Sequence, residues 1–154
     1  VLIDAYVRSY SPTQFKLINN EGIGTSSGRI LLVRSAGVLL LMAVLLGIIL
    51  WLAFSIIYPP EYMDGRQLVP MFIAGFLFFG IYKLLNPFIL AMHLQNQLVV
   101  ILVTTAAISL ALDYILLEKW GILIAGLVTM GSYLVLAATS LAIYMQGLKR
   151  DSHN

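Results

Sequence analysis

The chain has 154 residues, 60% of them hydrophobic and only 10% charged, with a net charge of +2 and a mean hydropathy of +0.95. Soluble domains carry about 25% charged residues, so the composition excludes an ordinary soluble enzyme, and so slight a positive balance gives no footprint for nucleic acid. Cysteine is absent and only His93 and His153 are histidines, which excludes disulfides, thiol catalysis and a cysteine metal site and leaves no expectation of zinc, haem or any other cofactor.

Residues 1–34 are mixed in character. The chain opens Val1-Leu2-Ile3-Asp4, with no basic segment before an apolar one, so no signal peptide is visible. Val1 is expected to be an internal residue of a longer protein, with Val1 to Val7 the end of an earlier helix. Ser11-Pro12 should break that helix, because proline disfavours helical torsions at the residue before it. Phe15 to Ile18 starts a short amphipathic segment, and Asn19 to Gly28 has the glycine, serine and asparagine content of a loop. Arg29 and Arg34 then flank the entrance to the first long apolar stretch.

Four such stretches follow, at about 35–58, 70–92, 97–117 and 121–146. A membrane-spanning helix needs about 20 mostly apolar residues, and each stretch meets that length. The expected fold is therefore an all-α membrane protein: a bundle of four transmembrane helices over 35–147 and a short solvated tail over 148–154. Pro59-Pro60 ends the first span by removing successive backbone donors. Asp64-Gly65 marks a turn in the next loop, and Pro70 suits the first turn of the second span, where its missing N–H would be unpaired anyway. His93 to Gln97 is the following loop. Glu118-Lys119-Trp120-Gly121 is the tightest, leaving the last two spans as a hairpin.

Arg8, Lys16, Arg29, Arg34, Lys149 and Arg150 fall on one side of this arrangement, and only Arg66 and Lys119 on the other. The excess of Lys and Arg on cytoplasmic loops puts both ends in the cytoplasm. Tyr58, Tyr62, Trp120 and Tyr144 lie near span ends, as an interfacial aromatic belt requires.

Three features inside the spans bear on chemistry. Lys83 sits past the middle of the second span, where an ionisable group costs at least about 2.5–3.5 kcal/mol on insertion scales. Such a residue either faces a bundle interior as a cationic site for an anionic group such as a diphosphate, or snorkels towards the interface. Asn86-Pro87 lies one turn further on. A proline there frees a carbonyl one turn back, giving either a hinge for alternating access or a static kink. Asp113, about one turn before the outer end of the third span, is either a hydrated interfacial carboxylate or a proton- or cation-coupling site. In the last span Gly121, Ala125, Thr129 and Ala137 form a small-residue stripe that permits close helix packing. No catalytic triad, paired-carboxylate cluster, metal motif or glycine-rich phosphate loop is present, and the chain is not expected to be an enzyme.

The segment from Ser109 through Leu116-Leu117, Gly121-Ile122, Ala125 and Thr129 to Ser132-Tyr133 resembles the end of Wzx-type polysaccharide and O-antigen flippases. These belong to the multidrug/oligosaccharidyl-lipid/polysaccharide exporter superfamily, in which the pattern reads approximately N-x-x-L-N-x-x-L-I-P-x-x-G-I-x-G-A-A-x-A-T, then S-Y. The chain departs from it where Ser109 and Asp113 replace asparagine, Glu118 replaces proline and Ile124 replaces the second glycine. The resemblance extends over nearly the whole chain, as helices nine to twelve of a twelve-helix, two-lobe transporter with a trace of the eighth.

It implies a bacterial inner-membrane protein that moves an undecaprenyl-diphosphate-linked oligosaccharide by alternating access. The implied partners are the lipid bilayer, that lipid-linked glycan, the N-terminal part of the same chain and the polysaccharide polymerase machinery. Lys83, joined by Arg34, would then attract the diphosphate, Asp113 would serve coupling, and Asn86-Pro87 would act as the hinge. Two other classes compete: a cation-coupled multidrug exporter of the same superfamily, which needs cavity carboxylates and has only Asp113, and a structural membrane subunit without a transport path.

Overall fold

Five helices follow one another in a computed structural model that describes residues 2–21, 26–57, 59 and 65–151: α1 (Leu2–Glu21), α2 (Ser26–Ile57), α3 (Leu68–Ala91), α4 (Gln95–Trp120) and α5 (Ile122–Asp151). Four of them are long and apolar enough to cross a membrane, over Ser27–Phe54, Gly65–Ala91, Gln95–Trp120 and Ile122–Lys149. The four expected spans are thus present, each longer than the apolar run that marks it.

Helix α3 is the hub. It packs most extensively on α5, next on α2, then on α1, and barely touches α4, which leans on α5 instead. The second half of α3 is consequently covered on several sides: Tyr82, Leu84, Leu85, Pro87, Phe88 and Ile89 are all buried. Tyr82, Leu85, Phe88 and Ile89 form the core with Leu136, Ile143 and Tyr144 of α5 and Leu98 of α4, with the Phe88 and Tyr144 rings meeting edge to face at 5.6 Å. Edge-to-face rings exploit the aromatic quadrupole and suit an interior of this kind.

Close approach of α3 and α5 depends on glycines. A Cβ at Gly75 would lie 3.3 Å from the Tyr133 ring and 3.5 Å from the Met130 backbone, and one at Gly126 would lie 2.8 Å from the Leu68 side chain. At the other end a Cβ on Gly147 would collide with Met92. In a bilayer the lipid is as apolar as the side chains, so helices associate through such van der Waals contact. The contact thus runs through Gly126 and Gly147. Of the expected stripe on α5, Ala137 is buried, Ala125 and Thr129 are half-buried, and Gly121 is exposed in the turn.

Several boundaries differ from the expectation. Helix α1 runs through Pro12 instead of breaking there. Proline costs one backbone bond to the Arg8 carbonyl, but contacts just before it, and the Gln14 amide donating to the Leu84 carbonyl just after it, hold the helix. The Ser9 and Ser11 hydroxyls donate to the Tyr6 and Val7 carbonyls at 2.8 Å, and the Tyr10 hydroxyl donates to the Leu31 carbonyl of α2 at 2.8 Å. The polar loop shrinks as well: α1 reaches Glu21 and α2 starts at Ser26, while residues 22–25, within the expected loop, lie outside the described residues, as do Tyr58, Pro60 and 61–64. Arg29 and Arg34 therefore lie on α2 itself. The expected tail is helical as far as Asp151, where Lys149 suits the negative end of the helix dipole.

The α3–α4 turn closes as a Schellman motif. The Leu94 N–H donates to the Ile89 carbonyl at 3.1 Å and the His93 N–H to the Leu90 carbonyl at 3.0 Å, with His93 at φ 58° in the position where glycine is usual. Between α4 and α5 the connection is Gly121 alone, at φ 70° and ψ −170°. That region of torsion space is essentially reserved for glycine. At the opposite edge, the Arg66 guanidinium lies 3.8 Å above the Trp51 ring, tying α2 to the turn that leads into α3.

Two substitutions test this packing. Gly75→Leu should destabilise the bundle by about 1–3 kcal/mol through overpacking against Met130, whereas Gly37→Leu, with nothing within 4 Å of its Cβ, should be neutral or slightly stabilising; denaturation in detergent micelles reads both. Gly121→Ala has equally open surroundings, yet it should cost about 1–3 kcal/mol in the same assay from backbone strain alone.

Candidate functional site

The 3.6-residue helical period sets Val7, Arg8, Ser11 and Phe15 on one face of α1. That face meets Lys83, Asn86, Pro87 and Leu90 of α3 across a cleft of about 310 Å³. Among the described residues the lining carries two cations, an amide and a hydroxyl. By contrast, the clefts on either side of the α2–α3 seam are lined almost wholly by aliphatic and aromatic groups such as Leu39, Ile73 and Phe76. Two like charges beside one concavity raise the local potential and favour an anion there.

Lys83 is half-buried, and its Nζ lies 5.2 Å from the centre of the Phe79 ring. Phe79 in turn packs against Tyr133 of α5 at 5.0 Å between ring centres. A cation within about 6 Å of an aromatic face gains about 0.5–2 kcal/mol, which offsets part of the cost of its depth. Pro87 has no N–H, so the Lys83 carbonyl loses its usual helical donor. Helix α3 nevertheless continues to Ala91, and the proline itself is buried. Asn86, Pro87 and the deep lysine are thus brought together in one cleft.

Arg34 is placed differently. It is exposed on α2 and is not among the residues lining the cleft. Its charge acts on Tyr10 instead: burial pushes the Tyr10 phenol above its ordinary range, while a hydrogen bond with Ser35 and the Arg34 charge work against that rise and Tyr6 adds to it. The second cation of the cleft is Arg8. It escapes attention in the sequence because a helix broken at Pro12 would not present one face; the spacing of Val7, Ser11 and Phe15, each four residues on, carries the signal.

Gln14, fully buried, closes the same interface from α1. Its amide nitrogen donates to the Leu84 carbonyl at 3.5 Å, a long bond, and its oxygen has no partner among the described residues. Asp113 stands elsewhere. It lies eighteen residues into α4, about 27 Å from the α3–α4 turn, whereas Lys83 lies eight residues, about 12 Å, from the same turn. The two sites occupy opposite halves of the bundle.

The fold and these sites define a multi-pass membrane protein with polar groups placed between its helices. No family model, curated protein or solved structure matches the chain.

The Tyr10 contact generates a pH prediction. A phenol whose folded pKa is raised contributes stability that is fully present below its unfolded value of about 10.0 and lost as pH rises through the folded value. Stability should therefore hold up to about pH 9 and fall above about pH 10. Tyr10→Phe should cost about 0.5–1.5 kcal/mol at neutral pH and remove that part of the alkaline loss, read as melting temperature between pH 8 and 11.

Proposed function

We propose that this chain is part of the C-terminal lobe of a twelve-helix flippase that carries an undecaprenyl-diphosphate-linked oligosaccharide across the bacterial inner membrane. The observation that carries the proposal is the α1–α3 cleft, in which Arg8 and Lys83 line one concavity together with Ser11 and Asn86. A diphosphate needs such a cradle: charge-assisted donors on a fixed wall, with neutral donors such as Asn86 and Ser11 beside them. The sequence resemblance to Wzx-type flippases and the excess of basic residues on one side of the spans support the same scheme.

On this scheme both described ends are cytoplasmic, and Lys83 and Arg8 draw the diphosphate from that side. Arg34 adds to the local field without lining the cleft. Alternating access then needs one wall to move. Pro87, which lacks the N–H that would meet the turn before it, and the long Gln14 bond to Leu84 are where α1 and α3 would part. Transport requires the rest of the two-lobe protein, so the property expected of these helices is recognition of the headgroup.

Binding of undecaprenyl diphosphate and of neutral undecaprenol to the chain in nanodiscs tests this. The diphosphate should bind more tightly. Lys83→Ala should weaken it about tenfold or more and Arg8→Ala by a smaller factor, while Lys83→Arg retains it. Equal affinity for the neutral alcohol, or an unaltered affinity in Lys83→Ala, would reassign Lys83 to snorkelling.

A further inference from the structure

The seam between α2 and α3 is open along much of its length. On one side a groove of about 510 Å³ runs from Leu40 to Leu52 of α2 and from Val69 to Leu77 of α3. Its shape has a local cause. Ala43, Gly47 and Ala74 put almost no side chain into the seam, while the larger Val44, Ile48 and Leu52 line it and remain exposed. A Cβ at Gly47 would meet only the Ile73 side chain, at 3.6 Å.

Leu40 and Leu52 are twelve residues apart, which at 1.5 Å per residue is about 18 Å. The hydrocarbon of a bilayer is about 30 Å thick, so one leaflet fills about 15 Å. The groove is thus about as long as one extended lipid chain. Among the described residues its lining holds no charged side chain. A lipid chain is as apolar as that lining, so it enters without a desolvation cost.

The end of the groove sets it apart from the apolar cleft on the other side of the seam. Trp51 lines the groove, and the Arg66 guanidinium lies 3.8 Å above the Trp51 ring. Arg66 itself stands beyond the lining, one turn before Val69 and Pro70, where a headgroup stands relative to its chain. The Gly65 turn before it is seated on α2, with its Cβ position 3.3 Å from the Phe54 ring. A guanidinium over a ring engages through its face and keeps its N–H donors in its own plane. The Nε of Arg66 has no hydrogen-bond partner among the described residues, although buried donors as a rule find one. A phosphate at that edge supplies both an acceptor and the opposite charge.

We propose that the α2–α3 groove holds one chain of a membrane phospholipid whose phosphate sits on Arg66, beside Trp51. The proposal does not rest on the transport reading, and the groove shares no residue with the α1–α3 cleft. Its occupant fills the open seam and joins α2 to α3, so binding stabilises the folded chain by mass action.

Tryptophan quenching tests it. In Trp120→Phe, Trp51 is the single tryptophan left. The full chain in micelles is titrated with phosphatidylglycerol brominated along its acyl chains, and with diacylglycerol brominated in the same way. Phosphatidylglycerol should quench Trp51 saturably at about one lipid per chain, and diacylglycerol should bind about tenfold more weakly. Arg66→Gln should remove that preference and Arg66→Lys should keep part of it. Gly47→Leu, which puts a side chain into the groove, should abolish the saturable quenching; melting in the same micelles shows that each variant is folded. Equal affinity for the two lipids would give Arg66 a partner within the chain and overturn the site. So would a preference that persists in Arg66→Gln, saturable binding retained in Gly47→Leu, or quenching that rises without saturation. Sedimentation showing a dimer that Gly47→Leu separates would overturn it too, by giving the groove to a second copy of the chain.

Discussion

The close approach of α3 to α5 is the contact on which the other helices depend. Gly75, Gly126 and Gly147 let the two backbones come together, and the larger residues between them, Leu85, Phe88, Leu136 and Tyr144, fill the interior. A soluble protein would be held by expulsion of water from such a core. In a bilayer that force is missing between helices, and dispersion in close contact must replace it. Helices α1, α2 and α4 then attach to a pair that is already joined, and none of them is buried to the same degree.

This hierarchy has a functional consequence. The most thoroughly packed stretch of the chain, Tyr82 to Ile89, also carries Lys83, Asn86 and Pro87. A charged group on so well packed a wall has a fixed position in the cleft. The opposite wall, α1, is held by few polar contacts: Tyr10 to Leu31, and Gln14 to Leu84 at 3.5 Å with one amide oxygen left over. A buried amide whose oxygen has no partner among the described residues holds its helix less tightly than an apolar side chain of the same volume would. The cleft therefore has one thoroughly packed side and one side held by fewer contacts.

Much of this was legible in the sequence, and the omissions have a common cause. The four spans, the unusual depth of Lys83 and the proline one turn away are local facts: a charge or a ring inside an apolar run is visible without a partner. Arg8 was not legible, because Pro12 has a strong local preference that the Tyr10 and Ser11 contacts override. Nor could α5 alone show which small residues matter. Thr129 and Gly126 are three apart and equally small, but only the position of α3 decides that Gly126 is covered while Thr129 lines a cleft towards α4. Patterns within one helix specify a face; which neighbour it meets depends on the whole bundle.

The placement of the two charges follows from chain direction. The tight turn at His93 joins α3 to α4, with Lys83 eight residues before the end of α3 and Asp113 eighteen residues into α4. Lys83 lines the α1–α3 cleft, whereas α4 leans on α5 and barely touches α3. Between them lies the α3–α5 pair, with α1 on one flank and α4 on the other. A change of packing at one of the two positions can therefore reach the other only through the placement of α1 and α4 against the hub.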